Sequence, residues 1–122
     1  MLLDTHLLLW ALASPRRLSS KSRQQIESSE VFASAASIWE ISIKAALGKL
    51  HANPAEVLSG IEPAGFDHLH ITGEHAVEVM NLPHLHKDPF DRLLVAQARV
   101  ERMILLTDDD TLGGYGEFVQ VV

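Results

Sequence analysis

Cysteine is absent from this 122-residue sequence, and its absence excludes several kinds of chemistry. Disulfide bonds, thiolate zinc sites and nucleophilic thiols all require that residue. Long apolar runs are absent too, since none approaches the roughly 18 residues that a membrane-spanning helix needs. The N-terminus carries no basic segment of the kind that opens a signal peptide. We therefore expect a protein of the reducing cytoplasm with no membrane association.

Positive charge is scarce. The chain has 10 Lys and Arg against 16 Asp and Glu, which gives a net charge of −6. This balance disfavours a simple nucleic-acid-binding module, because such modules are usually basic. It does not disfavour a nuclease, since bound divalent cations can supply the positive charge that phosphate needs. One basic cluster is more typical of a solvated helix entry than of an RNA contact: Arg16, Arg17, Lys21 and Arg23.

Short apolar runs, in contrast, recur along the whole chain and alternate with amphipathic segments. The length is that of a single domain, 1–122, with enough residues to bury a core. The alternation predicts an α/β fold with a mostly parallel sheet of four or five strands and helices on both faces. Trp10 and Trp39 are expected in the core. The predicted strands are Met1–Leu3, Val31–Ala33, Leu69–Ile71, Met103–Leu106 and Phe118–Val122.

Four acidic residues each lie where an apolar run gives way to an expected helix start: Asp4, Glu40, Asp91 and Asp109. In α/β folds, ligands bind in the crevice beyond the carboxyl ends of the strands. Carboxylates clustered there can hold Mg²⁺ or Mn²⁺, which prefer hard oxygen ligands. The leading hypothesis is therefore metal-assisted hydrolysis of a phosphodiester.

Helix capping is the alternative interpretation of each acid. Asp4 can cap the helix that follows it, Ser37 and Glu40 form a capping-box pattern, and Asp88 precedes a proline as an N-cap often does. For any single acid, capping is the more common role. Caps often use Ser, Thr or Asn, so acids at all four positions are more than capping requires. Helix N-termini favour negative charge, so we expect these acids to be ionised with low pKa values as metal ligands. Without a cation, repulsion among four clustered carboxylates is expected to raise their pKa values.

Four segments around these acids resemble a known family: LLDTHLLLWAL, SAASIWEISIKAALGKL, HKDPFDRLLVAQA and LLTDDDTLGGYG. They resemble PIN domains, and most closely the VapC-type ribonuclease toxins of toxin–antitoxin pairs. The resemblance implies a PIN-like α/β fold and a metal-dependent endoribonuclease activity with Mg²⁺ (or Mn²⁺). By position it makes Asp4, Glu40, Asp91 and Asp109 the metal-site acids.

Several neighbouring residues are candidates for supporting roles. Asp88 can assist Asp91 or only cap the helix, and Asp108 remains open as a ligand beside Asp109. By resemblance, Ser37 and Thr107 match hydroxyl positions near the site, where they can orient a carboxylate or a water.

Two basic residues next to the acids allow two readings each. Lys44 follows Glu40 by four residues, which is a favourable spacing for a surface pair on a helix. It can instead steady the acids or contact RNA phosphate, and Arg92 beside Asp91 allows the same choice. The structural reading is favoured for both.

The histidines do not predict a zinc site. His84 and His86 form a His-x-His pair, but no closed set of four zinc ligands can be assembled around them. His86 lies two residues before Asp88 and can contact substrate.

The partners expected from the resemblance are an antitoxin protein, with a basic segment entering the acidic site, an RNA substrate and a second copy in a homodimer. Two rival functions are an inactive PIN-like scaffold and a receiver-type module that binds ligands in an acidic pocket. Receivers have paired acids after the first strand and a late lysine. Here one acid follows the first strand, and no lysine follows Lys87.

Overall fold

Five strands form one sheet in the computed structural model, which describes residues 1–122. Their bounds are Leu2–Leu3 (β1), Phe32–Ser34 (β2), Asp67–Leu69 (β3), Leu105–Thr107 (β4) and Val119–Val121 (β5). In space they lie in the order β3-β2-β1-β4-β5. All four pairings are parallel, which confirms the predicted type of sheet.

Six α-helices lie between the strands: Thr5–Ala13 (α1), Ser20–Glu27 (α2), Ala35–Ala46 (α3), Pro54–Gly60 (α4), Gly73–Glu78 (α5) and Pro89–Glu101 (α6). Short 3₁₀ helices occupy Pro15–Arg17, Val79–Asn81 and Asp110–Tyr115. No helix combines the length and the apolar character that crossing a membrane requires.

Both faces of the sheet are covered, because successive side chains of a strand point in opposite directions. Leu2 of β1 lies in one buried cluster with Leu94 and Val95 of α6. The next residue, Leu3, lies in a second cluster with Leu7 of α1. Helices on both faces were expected, and this arrangement confirms them.

The chain changes direction across the sheet between β1 and β4. It runs from β1 outward to β2 and β3, then returns to the other side of β1 to form β4 and β5. Such a switch point leaves a crevice beyond the carboxyl ends of the two strands. Asp4 follows β1 and Asp108 follows β4, so both lie at this crevice.

Polar side chains start the helices that surround the crevice. The carboxylates of Asp4 and Asp88 cap α1 and α6, as the capping interpretation predicted. Ser34 caps α3. The capping box predicted for Ser37 and Glu40 is wrong, because α3 begins before both residues and leaves them inside the helix.

Two further sequence predictions need correction. The third strand lies at Asp67–Leu69, two residues earlier than predicted. Its position is set by the pairing of Asp67 with Phe32 and not by the apolar residues on which the prediction was based. Trp39 is 55% exposed and not part of the core, since α3 turns its other side toward the sheet. Trp10 is half-buried against the second cluster.

Candidate metal centre

A polar cleft of about 620 Å³ lies at the switch point. None of its lining residues is hydrophobic. The four acids singled out in the sequence come from separate segments of the chain, and all of them line this one cleft. Seven acids and one lysine contribute to its wall: Asp4, Glu40, Asp88, Asp91, Asp108, Asp109 and Asp110, with Lys44.

The Asp4 carboxylate is buried and accepts three hydrogen bonds. The Leu7 N–H donates to Oδ1 at 2.9 Å, the Asp108 N–H donates to Oδ2 at 3.3 Å, and the Thr107 hydroxyl also donates to Oδ2. Burial nevertheless raises the pKa of Asp4 from 3.8 to about 6, because desolvation of the charge outweighs these bonds. The expectation of a low pKa is wrong here.

Glu40 is held from two sides inside the wall of the cleft. The Thr5 hydroxyl donates to Oε1 at 2.7 Å, and Lys44 Nζ lies 2.6 Å from Oε2. Ser37 is fully buried and its Oγ lies 3.0 Å from the Thr5 hydroxyl, so it reaches Glu40 only through that residue. The sequence did not single out Thr5, although it directly follows Asp4 and begins α1.

Asp91 has the fewest partners of the four acids singled out in the sequence. Its carboxylate accepts no hydrogen bond, and His86 Nε2 lies 3.6 Å from Oδ2. Burial is the main cause that raises the pKa of Asp91 from 3.8 to about 7, and repulsion from Asp88 and Glu40 adds to it. The low pKa expected for this acid is therefore wrong as well.

Asp109 differs from Asp91 because its two oxygens are well supplied with donors. The Thr111 N–H and hydroxyl donate to Oδ1 at 3.0 and 2.7 Å, and His86 Nε2 lies 3.0 Å from Oδ2. The hydrogen bond from the Thr111 hydroxyl is the main reason that the pKa of Asp109 is lowered. A low pKa was expected, and for this acid the expectation is confirmed.

His86 connects the third and fourth acids. The Asp88 N–H donates to Nδ1 at 3.1 Å, so in the neutral ring the proton lies on Nε2 and points at Asp109. One ligand atom from each of His86, Asp91 and Asp109 lies within 4.8 Å of the others. The sequence indicated substrate contact for His86, but not this link, which depends on how the segment between the second 3₁₀ helix and α6 brings His86 to the cleft.

Of the remaining candidates, Lys44 and Thr107 contact the acids and Arg92 does not. Lys44 lines the cleft, and the Glu40 carboxylate is the main cause of its raised pKa. Thr107 is buried and supports Asp4. Arg92 has the structural role that was favoured, although not as a surface pair: its guanidinium donates to the carbonyls of Pro83 and Val79 and to the Tyr115 hydroxyl.

The donor set fits a hard divalent cation. Carboxylates from four segments line one cleft, and burial, with repulsion from neighbouring acids, raises the pKa values of two of them. A divalent cation relieves that repulsion, and oxygen ligands are those that Mg²⁺ and Mn²⁺ prefer.

The sequence matches the family model of the PIN domain over residues 1–116. The chain belongs to the PIN-domain family. This confirms the family that the four motifs indicated, and the parallel α/β sheet is the PIN-like fold that was expected. No curated protein sequence matches the chain significantly.

Two solved structures share this PIN fold. One is a toxin–antitoxin complex from Klebsiella pneumoniae, with 18% identity and a TM-score of 0.66 over 98% of this chain and 95% of the other. The second is VapBC2 from Rickettsia felis bound to a DNA fragment from their promoter, with 12% identity and a TM-score of 0.68 over 99% and 96%. At these identities the likeness extends to the fold.

Proposed function

We propose that this PIN domain is a metal-dependent endoribonuclease that hydrolyses RNA phosphodiesters. One observation carries the proposal: Asp4, Glu40, Asp91 and Asp109 line one cleft, and the pKa values of Asp4 and Asp91 are raised to about 6 and about 7. A pocket built only to bind RNA would not gather negative charge where the phosphate must lie.

These four acids are the proposed ligands for Mg²⁺ or Mn²⁺. When bound, such a cation supplies Lewis acidity for activating water and positive charge for the phosphate oxygens. Asp91 has no hydrogen-bond donor of its own, which makes it the most available ligand. Its raised pKa does not make it a general base in this proposal, because a nearby cation favours the ionised carboxylate.

Other residues of the chain hold the acids in position. Thr107 and the start of α1 orient Asp4, Thr5 and Lys44 hold Glu40, and Thr111 and His86 hold Asp109. Fixed carboxylates need little reorganisation when a cation and a phosphate enter, which favours catalysis by preorganisation. Asp88 is proposed as a helix cap and Asp108 as a neighbour that orients Asp4.

The biological role that we propose is that of a VapC-type toxin acting on cellular RNA in the cytoplasm. The two similar structures described above are a toxin–antitoxin complex and VapBC2 bound to its promoter DNA, which supports an antitoxin as the partner. A cleft lined by seven acids favours a basic segment, whose Arg or Lys can satisfy the carboxylates in place of a cation.

A homodimer is part of the same proposal. The outer side of α3 exposes Trp39, Ile43 and Leu47 at intervals of four residues, and Leu58 of α4 is exposed as well. An exposed apolar stripe of this kind is typical of a protein interface. Light scattering of the wild type and of Leu47→Asp tests it: a dimer that the substitution converts to a monomer is expected, and a monomeric wild type contradicts the dimer.

Expression in a bacterial host tests the toxin role. The wild type is expected to arrest growth, and Asp4→Asn is expected to abolish the arrest while the protein remains folded. Co-expression of the small protein encoded beside the gene should restore growth. Normal growth with the wild type at confirmed expression would contradict the toxin role and favour an inactive PIN-like scaffold.

A further inference from the structure

Three side chains form a row that starts in the acidic cleft and leads out of it along α1. His6 lines the cleft, and its ring lies 6.2 Å from that of Trp10 with an angle of 17° between the planes. The Cζ of Arg17 lies over the Trp10 ring, 5.1 Å from its centroid. The indole thus contacts an imidazole on the cleft side and a guanidinium farther along the chain.

The row is accessible from solvent and is fixed at its centre. The His6 side chain is 63% exposed and Arg17 is exposed, whereas Trp10 is half-buried against the second core cluster. Stacked groups anchored in this way keep their positions without a ligand, so a ligand that stacks on them orders few side chains.

Beyond His6, which lies 3.5 Å from Asp108, the chain that carries this row is rich in positive charge. No acid occurs between Asp4 and Glu27, and four cations lie in that stretch. All four are exposed, and they continue from the row into the 3₁₀ helix and α2: Arg16, Arg17, Lys21 and Arg23. The sequence pattern favoured a solvated helix entry for this cluster. The structure connects it to the cleft through His6 and Trp10.

An RNA strand needs such a surface if it is cleaved in the cleft. The seven acids of the cleft repel phosphate groups. Bound cations can offset this repulsion only for the scissile phosphate, so the neighbouring part of the strand must be held outside the cleft. Proteins hold single strands with positive charge along the backbone and aromatic groups that stack on the bases. The row offers both.

We propose that His6, Trp10 and Arg17 form the binding path for the single-stranded RNA next to the scissile phosphate. This inference rests on the proposed nuclease function and adds the place where the substrate is held. Bases stack along His6 and Trp10, and Arg17 contacts the backbone or extends the stack.

Fluorescence of Trp10 reads this contact without any turnover. The chain has two tryptophans, so Trp39→Phe leaves Trp10 as the single reporter. In the presence of EDTA, a short single-stranded oligoribonucleotide is expected to quench Trp10 as it binds. An unchanged Trp10 signal at RNA concentrations that saturate binding would overturn the proposal.

Arg17→Ala tests the charged end of the row. We expect RNA affinity to fall roughly fivefold, as for one exposed stacked cation, and the slope of log K against log salt to fall by about one. Arg17→Lys should keep the salt slope and lose part of the affinity. Arg99→Ala is the matched control, because Arg99 is an exposed residue of α6, which covers the opposite face of the sheet. Equal effects of Arg17→Ala and Arg99→Ala would overturn the proposal.

Kinetics distinguish this inference from the function on which it rests. With Mn²⁺, Arg17→Ala is expected to raise the KM for RNA more than it changes kcat, with thermal stability and Mn²⁺ affinity retained. RNA-dependent quenching without any cleavage would contradict the nuclease and leave the binding path standing. Cleavage with an unchanged KM would contradict the binding path and leave the nuclease standing.

Discussion

Lys44 Nζ lies 2.6 Å from Glu40 Oε2, so the lysine of the cleft already occupies an oxygen that a divalent cation needs. The Glu40 side chain is only 5% exposed, whereas that of Lys44 is 38% exposed. Lys44 can therefore leave toward solvent or toward a phosphate when a cation takes its place, while Glu40 stays where α3 holds it.

Replacement of Lys44 by methionine should make this competition visible. Lys44→Met is expected to tighten Mn²⁺ binding several-fold, because the cation no longer displaces an ammonium group. Without metal the variant should lose about 1 kcal/mol of stability, since Glu40 is left without its partner in a partly exposed pair. Calorimetric titration with Mn²⁺ and thermal melts in EDTA measure the two effects.

Lys49→Met is the matched control for Lys44→Met, because Lys49 is exposed and does not line the cleft. It should leave both quantities unchanged. Weaker Mn²⁺ binding in Lys44→Met would show that the ammonium group supports the metal site, contrary to this prediction.

Asp91→Asn should stabilise the metal-free protein near neutral pH. The pKa of Asp91 is raised to about 7, so ionising it costs the folded state free energy that asparagine avoids. The expected gain is on the order of 2 kcal/mol. The helix cap is retained because Asp88 provides it. Chemical denaturation in EDTA measures the gain, and Mn²⁺ should stabilise the variant much less than the wild type.

Asp67→Asn removes the same charge from the exposed edge strand β3 and serves as the control for Asp91→Asn. Its stability should change by no more than about 0.5 kcal/mol. A loss of stability in Asp91→Asn would mean that the carboxylate supports the metal-free fold, contrary to this prediction.

The pH dependence of stability follows from the same shifts. In the folded state the pKa values of Asp4 and Asp91 are raised from 3.8 to about 6 and about 7. Between 3.8 and about 7 the folded state therefore binds more protons than the unfolded state, and stability falls as pH rises. The lowered pKa of Asp109 acts below this window.

Thermal melts in EDTA test this dependence. The metal-free protein should melt at a higher temperature at about pH 5 than at about pH 7.5. Saturating Mn²⁺ should reduce or reverse the difference, because the cation favours the ionised acids. The Asp91→Asn variant should show a smaller difference than the wild type. A metal-free protein that gains stability across this range would contradict the raised pKa values.

Thr107→Val tests the support of Asp4. The Thr107 hydroxyl donates to Asp4 and accepts the Asp109 N–H at 3.0 Å, and valine of the same shape can do neither. We expect a stability loss of about 1–2 kcal/mol and weaker Mn²⁺ binding by roughly tenfold or more, as for a residue that orients a ligand. Thr107→Ser should restore most of both. An unchanged Mn²⁺ affinity at reduced stability would make Thr107 a purely structural residue.

The sheet and the acids of the cleft were predictable because they depend on local patterns. When an apolar run is followed by an acid and a helix start, the acid is predicted to lie beyond the end of a strand, whatever the order of the strands in the sheet. Asp4 and Asp109 were predicted in this way. Asp91 instead follows a loop and lies in the first turn of α6, which the cap at Asp88 begins. Glu40 was singled out on the same pattern although it lies inside α3, and the family resemblance implied its place in the site.

Other features depend on contacts between segments far apart in the sequence, which no local pattern specifies. His86 contacts Asp109 because the segment that precedes α6 brings it to the cleft. Arg92 adjoins Asp91 in sequence, yet one step along the helix turns it toward Pro83 and Tyr115. The exposure of Trp39 likewise depends on which side of α3 meets the sheet.

The raised pKa values of Asp4 and Asp91 were predicted only as an effect of repulsion between clustered acids, and burial is the larger cause. A helix N-terminus lowers the pKa of an acid, and the start of a helix can be recognised in the sequence. Burial raises the pKa, and burial is known only from the packed structure. The balance differs from acid to acid: Asp109, which is more exposed and has three donors, keeps a low pKa.

Cleavage of single-stranded RNA by the purified protein, in Mn²⁺ and in EDTA, is the most direct test of the proposed activity. The wild type and Asp67→Asn should cut internal phosphodiesters with Mn²⁺ and not with EDTA. Asp91→Asn should be at least as stable as the wild type and yet at least about 100-fold slower, because it lacks the most available ligand. A wild type without metal-dependent cleavage, or an Asp91→Asn variant that cleaves at the wild-type rate, would contradict the account.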